Sequence, residues 1–526
     1  MFAVGSLVAG SGCVDADPAI DESEIGQEVA LGAPGSFNEL GMAMASGDLN
    51  GDGIDDLAVS VPFEGAGAVF LYKGTSGGLT PWRRINETQV FPTVAHAGDQ
   101  WGAQLAIADV DGDGHNDLVI GAPRGRDNDI THSGNPGGVV DVLWGAANGP
   151  VVSGAVRLDQ EGLVPGEGDE KEDQFGISLA VRESSNAATW IAIGSPGEVY
   201  HGVATGFVHV VAFNGRTPSL VDTIPAPASV PSGGQFGAAL VIRDFDNDGH
   251  RDVAVGAPGS GVSGATVKGH VYVFRGNGSS FGTGVEIVEA SKLPISKGDE
   301  YGMAIAAGHF DSTKYPGHTG ANDPLAEELL IAAPGFDGGH GRVFTADPTF
   351  NGSGAWTGMQ IQLGFTGEAG GFGGGDLQPF NLSSSKALVV ANLDSDGFDD
   401  FVTSSPFATV NGHESAGELV VFTTLNPGNQ LAEKSHFTWT SGIGTDGVVQ
   451  TPSNEDFFGT TLAVGNFHST DKLALDIVGG MPLRAEVGLA DGDNGIDAGA
   501  LFTFTRTVPA PNVGWLQTKW YDEGTP

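Results

Sequence analysis

Positive charge is scarce in this chain of 526 residues. Lys and Arg together number 23 against 65 Asp and Glu, a formal net charge of −42. Phosphate contacts need a basic patch, so nucleic acid is excluded as a partner. Cysteine occurs once, at Cys13, so no intrachain disulfide can form. No run reaches the roughly 18 consecutive apolar residues that would span a bilayer. The periodic Ala, Leu, Glu and Lys blocks of long helices are also nearly missing. What is present is glycine (85 residues), proline (28) and an apolar fraction of 40%, too high for a disordered chain. Length alone would suit three or four ordinary domains, but this composition predicts many short strands joined by Gly- and Pro-bearing turns. The acidity serves solubility in a salty or extracellular medium, part of it neutralised by bound cations.

Self-similarity decides the architecture. One unit recurs: an aromatic-Gly start, a loop, a strand ending in Gly-Ala-Pro or a relative, and a further strand that begins at Gly. The second copy reads WGAQLAIADV (101–110), DLVIGAP (117–123) and GGVVDVLW (137–144); the fourth reads FGAALVI (236–242), DVAVGAP (252–258) and GHVYVF (269–274). Copies three (FGISLAV, WIAIGSP, GFVHVV), five (YGMAIAA, ELLIAAP, GRVF) and seven (FGTTLAV, DIVGGMP, GALFTF) keep the frame. Copies one (DLAVSVP, GAVFLY) and six (DFVTSSP, GELVVF) complete the set. The strand before the proline starts near 56, 117, 190, 252, 328, 400 and 476. Seven copies at this spacing predict an all-β chain, a seven-bladed β-propeller with four strands per blade. Inner strands covered on both faces explain near-continuous apolar runs such as LVIGA. No copy can bury its own sheet, so stacking around a ring must supply the core.

The aromatic-Gly start, the Gly-Ala-Pro strand and the Asp-rich loop between them resemble the FG-GAP repeats of integrin α-chain propellers and their bacterial relatives, over roughly residues 25–520. Two ends compete for the last strand of the ring, GWLQTKW (514–520) and EVALGA (28–33).

Four copies carry a loop of the form D-x-D-x-D-G-x-x-D between the two strands. Carboxylates at positions 1, 3 and 5 of a tight turn converge, a glycine at position 6 permits positive φ, position 7 offers its carbonyl and position 9 closes the shell. Such a hard-oxygen set suits Ca²⁺, and without a cation the carboxylates would repel one another. The first loop uses Asp48, Asn50, Asp52, the Ile54 carbonyl and Asp56. The second uses Asp109, Asp111, Asp113, the His115 carbonyl and Asp117. The third uses Asp244, Asp246, Asp248, the His250 carbonyl and Asp252. The fourth uses Asn392, Asp394, Asp396, the Phe398 carbonyl and Asp400. The expectation is therefore about four Ca²⁺ ions, with the His115 and His250 side chains facing solvent. An EF-hand is excluded because position 9 opens an apolar strand-like run and no Glu stands at position 12. Copies three, five and seven lack the acid spacing and are expected to hold no calcium of this type. DGDNGID (491–497) offers either a further cation site or an exposed acidic loop, and the second reading is preferred.

No catalytic constellation emerges. The Gly-x-Ser-x-Gly matches at 74–78 and 278–282 lie in loops that lead into no helix. GSGVSG (259–264) follows a strand but runs into VKGHVYVF, with no helix N-terminus to hold a phosphate. The His residues form no metal-ligand pattern.

MFAVGSLVAGSGC resembles the end of a bacterial lipoprotein signal, which makes Cys13 the lipidated residue and residues 1–13 a leader, followed by an acidic linker over 14–24, the propeller over 25–520 and a tail over 521–526. The n-region has no Lys or Arg, and Gly10 stands where Leu is usual. The resulting expectation is a secreted or cell-surface lipoprotein, attached by a lipid anchor and without a transmembrane span, acting in binding or adhesion. By the family resemblance, calcium lies on one face, and a protein or glycan ligand engages loops on the other. The long loops there are 124–135, 407–416 and 484–498. A polysaccharide hydrolase or lyase, or a scaffold that only packs against a partner subunit, stand as alternatives, since fold does not choose among them.

Overall fold

A computed structural model describes residues 40–126, 137–165, 172–182, 188–200, 203–259, 269–287, 299–311, 315, 326–336, 341–366, 387–408, 410, 412–425, 430–437, 442–443, 449–450, 457–469, 475–482, 500–506 and 515–522. Cys13, the leader, the linker, EVALGA and DGDNGID lie outside them.

Seven antiparallel four-stranded sheets follow one another along the chain. Blade 1 comprises Met44–Gly47, Asp56–Val61, Ala68–Lys73 and Thr80–Asn86. Blade 2 comprises Gln104–Ala108, Asp117–Ala122, Val139–Trp144 and Val151–Leu158. Blade 3 has Ser178–Arg182, Thr189–Ser195, Phe207–Asn214 and Thr217–Pro225, and blade 4 has Ala239–Arg243, Asp252–Ala257, His270–Phe274 and Val285–Glu286. Blade 5 is Ala304–Gly308, Glu328–Ala333, Arg342–Phe350 and Trp356–Thr366; blade 6 is Leu388–Ala391, Asp400–Ser405, Glu418–Leu425 and Gln430–Phe437. Blade 7 is Leu462–Gly465, Asp476–Met481, Ala500–Arg506 and Trp515–Asp522. The first strand of each blade packs beside the first strand of the next, and that of blade 7 returns to that of blade 1. The molecule is a seven-bladed β-propeller. Its last blade takes its outer strand from Trp515–Asp522, paired with Ala500–Arg506, which decides between the two ends offered by the sequence.

Burial explains the sequence pattern. Every residue of the second strand is buried in all seven blades, which is why these strands read as unbroken runs. Seven hydrophobic clusters form, one at each blade-to-blade interface. One joins Leu71 and Ile85 of blade 1 to Leu118 and Ile120 of blade 2, and another joins Val59 of blade 1 to Val478 and Leu501 of blade 7. Each cluster needs two neighbours, so the ring and its core form together.

The repeated glycines sit where backbones cross between blades. Gly67, opening the third strand of blade 1, has φ +121°, and a Cβ there would overlap the backbone of Trp101 in blade 2. Gly138, Gly206, Gly269 and Gly417 face Phe175, Phe236, Tyr301 and Phe458 in the same way. The aromatic therefore packs under the preceding blade, while the N–H of its following glycine bonds within its own blade, as Gly102 does to the Gly121 carbonyl at 3.1 Å.

The inner strands of blades 3 to 6 line a cavity of about 400 Å³ whose walls include Leu179, Val181, Ile242, Ala307 and Val390. Two one-turn helices, Glu87–Val90 and Gln160–Leu163, follow the outer strands of blades 1 and 2, capped by Asn86 and Asp159. No helix among the described residues is long and apolar enough to cross a membrane.

Candidate metal centres in the inter-strand loops

The acidic loops join the first strand to the second in blades 1, 2, 4 and 6, all at the same end of the blades. Each winds around its position-1 side chain. Asp48 Oδ1 accepts the N–H groups of Gly51 (2.7 Å) and Asp52 (3.1 Å), and Oδ2 accepts that of Gly53 (2.8 Å). Asp109 takes Gly112 and Gly114 in the same manner, and Asp244 takes Asp248 and Gly249. In blade 6, Asn392 Oδ1 accepts the Ser395 N–H. The position-6 glycines Gly53, Gly114, Gly249 and Gly397 have φ between +86° and +98°, as the motif predicts. Position 4 is left-handed as well (Gly51, Gly112, Asn247, Ser395). The Gly and Asn at that position were the available signal for this second reversal. Position 7 turns its N–H inward: Ile54, His115, His250 and Phe398 each donate to the carboxylate two residues earlier, at 2.8–3.0 Å.

In the second loop, oxygens of Asp109, Asp111 and Asp117 lie within 4.8 Å of one another, and in the third so do those of Asp244, Asp246 and Asp248. In the other two loops Asn50 and Asn392 replace an acid, and no three acids of either loop come as close among the described residues. The His250 side chain is exposed as expected. His115 departs from expectation: its ring lies against Gly51 of the neighbouring loop, and Nδ1 is buried.

The position-9 acid is built into the sheet. Asp56, Asp117, Asp252 and Asp400 are fully buried at the start of the second strand. Asp117 Oδ2 accepts Val110 N–H (2.7 Å) and Asp111 N–H (3.2 Å), while Oδ1 accepts Gly145 N–H (2.6 Å) beyond the third strand. Asp56 bonds Leu49 and Gly74, and Asp252 bonds Phe245 and Gly276, in the same way. The same position is acidic in two blades that lack the motif. Glu328 accepts the Phe310 N–H in blade 5, and Asp476 that of Phe467 in blade 7, where it also pairs with His468 Nδ1 at 2.7 Å. In blades 1, 2 and 4 the buried acid thus ties the start of the second strand to the end of the first and of the third, and in blades 5 and 7 it keeps the bond back past the first strand without the acidic loop.

Burial raises the pKa of these acids, to about 6 for Asp56 and about 7 for Asp117 and Asp252, and neighbouring carboxylates push in the same direction. A bound dication would relieve that cost. The donors are all oxygens, several of them anionic, and they fit a hard cation such as Ca²⁺.

Blade 5 brings together a group that sequence spacing hides. Asp311, Glu328 and Asp347 have oxygens within 4.8 Å of one another. Seventeen positions separate the first two in sequence (311 to 328), and the third lies on the adjoining strand, so no local motif betrays them.

The connections after Pro123 and Pro406 leave from the opposite end of the second strand. Of the three long ones singled out from sequence, residues 127–135 and 484–498 lie outside the described residues. In 407–416, Phe407 packs edge-on against Phe457 of blade 7 at 5.4 Å. In the axial cavity the charged lining residues are Arg243, which pairs with Glu327 at 3.4 Å, and Asp399, which accepts the His309 N–H.

Comparisons with known proteins bear on the same repeats. A family model described as FG-GAP-like repeat matches residues 36–120, and one described as FG-GAP repeat matches 101–143 and 236–274. Human integrin alpha-D is 31% identical over 212 residues, 39% of this chain and 17% of that protein. Integrin alpha-PS2 of Drosophila melanogaster is 28% identical over 232 residues, 41% of this chain and 15% of that protein. Integrin alpha-PS5 of the same fly is 44% identical over 80 residues, 15% of this chain and 8% of that protein. The chain spans less than a fifth of the length of these relatives.

Proposed function

We propose, from the premise that this chain is an FG-GAP repeat β-propeller of the integrin α-like kind, that it is an exported binding or adhesion module at the cell surface whose loops hold structural Ca²⁺. The observation that carries the proposal is the division of labour between the two faces. Acidic loops of one design occupy one end of four blades, and long connections of unlike sequence leave from the other. A rigid ring that presents unlike loops is a recognition scaffold.

In this reading Asp48, Asp109, Asp244 and Asn392 organise their loops, positions 3 and 5 present oxygens to the ion, and the position-9 Asp joins the site to the second and third strands. Calcium removes the repulsion among the carboxylates and joins two strand ends, a structural role. Extracellular modules of this kind bind with dissociation constants of about 10⁻⁴–10⁻³ M. The ligand, a protein or a glycan, engages the opposite face. Cys13 is the proposed lipid attachment point; labelling of the native chain but not of Cys13→Ser by a fatty-acid analogue checks it.

Thermal unfolding in millimolar calcium and in excess EDTA tests the metal role. A lower melting temperature in EDTA, restored by added calcium, is expected. Superimposable melts would remove calcium from the account.

A further inference from the structure

The chain is strongly acidic, with 23 Lys and Arg, and among the described residues three basic side chains reach into three of the four acidic loops. Lys73, the last residue of the third strand of blade 1, places Nζ 3.1 Å from Asp52 Oδ2 and 3.4 Å from Asn50 Oδ1. Arg275, directly after the third strand of blade 4, pairs with Asp246 Oδ2 and, at 3.4 Å, with Asp248 Oδ2. Arg216 comes from the next blade: it sits on the turn between the third and outer strands of blade 3 and pairs with Asp111 Oδ2 (2.7 Å) and Asp113 Oδ2 (3.6 Å) of blade 2.

The oxygens they choose matter more than the pairing itself. At positions 3 and 5 the Oδ1 atoms are already engaged with the loop's own amides: Asp111 with Asp113 N–H, Asp113 with His115, Asp246 with Asp248, Asp248 with His250, and Asp52 with Ile54. In each of these five carboxylates the remaining Oδ2 is the atom a cation would take, and in each a basic side chain is on it. Asn50 follows the same rule, with its amide nitrogen on Asp56 and its oxygen toward Lys73. The basic side chains are between 38% and 54% exposed, so they can withdraw to water without being buried elsewhere. Two have a resting place: the Arg216 guanidinium lies 5.0 Å from the Trp144 ring centroid, and that of Arg275 lies 5.7 Å from the centroid of Trp356 on the neighbouring blade.

We propose that Lys73, Arg216 and Arg275 are built-in counter-ions that hold these loops in shape without metal and compete with Ca²⁺ for the same oxygens, setting its affinity. The inference rests on the reading of the loops as calcium sites. Ion exchange within the loop lets the propeller stay closed when calcium is scarce, and it places the sites in a low-affinity range responsive to extracellular calcium.

Calcium titration calorimetry on the full chain, with melting curves in EDTA and in saturating calcium, tests this for Arg216→Gln, Arg275→Gln and Arg275→Lys. The Gln variants are expected to bind calcium about three-fold more tightly at one site, as loss of an exposed competing ion pair allows. They should melt lower than the parent in EDTA and with it in saturating calcium, which also shows that they fold. Arg275→Lys should retain the parental affinity. Parental or weakened affinity in both Gln variants, with a calcium-responsive parent, overturns the counter-ion role alone. A parent and variants that take up no calcium and melt identically with and without EDTA overturn the calcium reading, and this inference with it.

Discussion

The N–H of Asp55 donates to the Asn466 carbonyl at 2.9 Å, and the Asn466 N–H donates to Asp55 Oδ2 at 2.8 Å. Blade 1 and blade 7, more than four hundred residues apart in sequence, are thereby joined at the ring closure. Asp399 and His309 make the same reciprocal pair between blades 6 and 5, at 2.8 and 2.9 Å. In both cases the residue just before the position-9 acid reaches back to the residues that follow the previous blade's first strand. Among the described residues, this contact at the closure is built like the one between blades 5 and 6.

Asp55→Ala should cost about 1–2 kcal/mol, the price of a lost charged acceptor, and Asp399→Ala a similar amount. Urea unfolding of the two variants checks this. A much larger effect at Asp55 would mark the closure as the weak point of the ring. Deleting residues 515–526 should be far more damaging, because the third strand Ala500–Arg506 would become an unprotected edge; loss of soluble monomer on size exclusion is the expected result.

Asp117→Ala should destabilise the chain in EDTA as well as in calcium. Its carboxylate serves three backbone N–H groups, two within the loop and one beyond the third strand. Leaving them unpaired in a buried site costs about 3 kcal/mol or more. Asp113→Ala, at an exposed position, should lose stability chiefly in calcium. Denaturant midpoints for both variants, with and without EDTA, separate the strand-tying acid from the one assigned to the proposed ion.

Gly67→Ala should unfold more readily by well over about 1 kcal/mol, since the methyl group would meet the Trp101 backbone at a positive φ. Gly154→Ala, also at positive φ but with nothing within 4 Å, should lose only about 1 kcal/mol from backbone strain. Equal losses would mean that close approach between blades is not what the repeated glycine provides.

Glu328 is pushed up to about 10 from an ordinary 4.5, first by burial and then by Asp311 beside it. The protonated form belongs to the fold and the ionised form to the unfolded chain. Its contribution is complete below about pH 4.5 and declines as pH rises toward 10. Glu328→Gln keeps an acceptor for the Phe310 N–H and carries no charge. It should flatten the fall in melting temperature between pH 5 and pH 9 and stabilise the chain at the upper end; a slope equal to that of the parent would show that Glu328 does not titrate with folding.

The strands were legible because residues covered on both faces must be apolar without alternation, as LVIGA in 117–123 shows. The acidic loops were legible because their carboxylates come from one short stretch. Arg216 was not, since it reaches the loop of blade 2 from blade 3. The Asp311–Glu328–Asp347 group was hidden because its members come from three separate segments. The strand-tying use of the position-9 acid was masked by the motif that contains it; Glu328 and Asp476 hold the same place in blades without the motif. The one-turn helix at 87–90 carried a local sign, an Asn86–Gln89 capping box, which strand periodicity overshadowed.

By itself, the sequence determined the number of blades, the succession of their first three strands along the chain and the positions of the acidic loops, because these depend on spacing along one chain. Tertiary structure alone decided which end completes the seventh blade, which basic side chains enter which loops, and how an inter-blade core arises. Those outcomes depend on distances between segments that only the closed ring brings together.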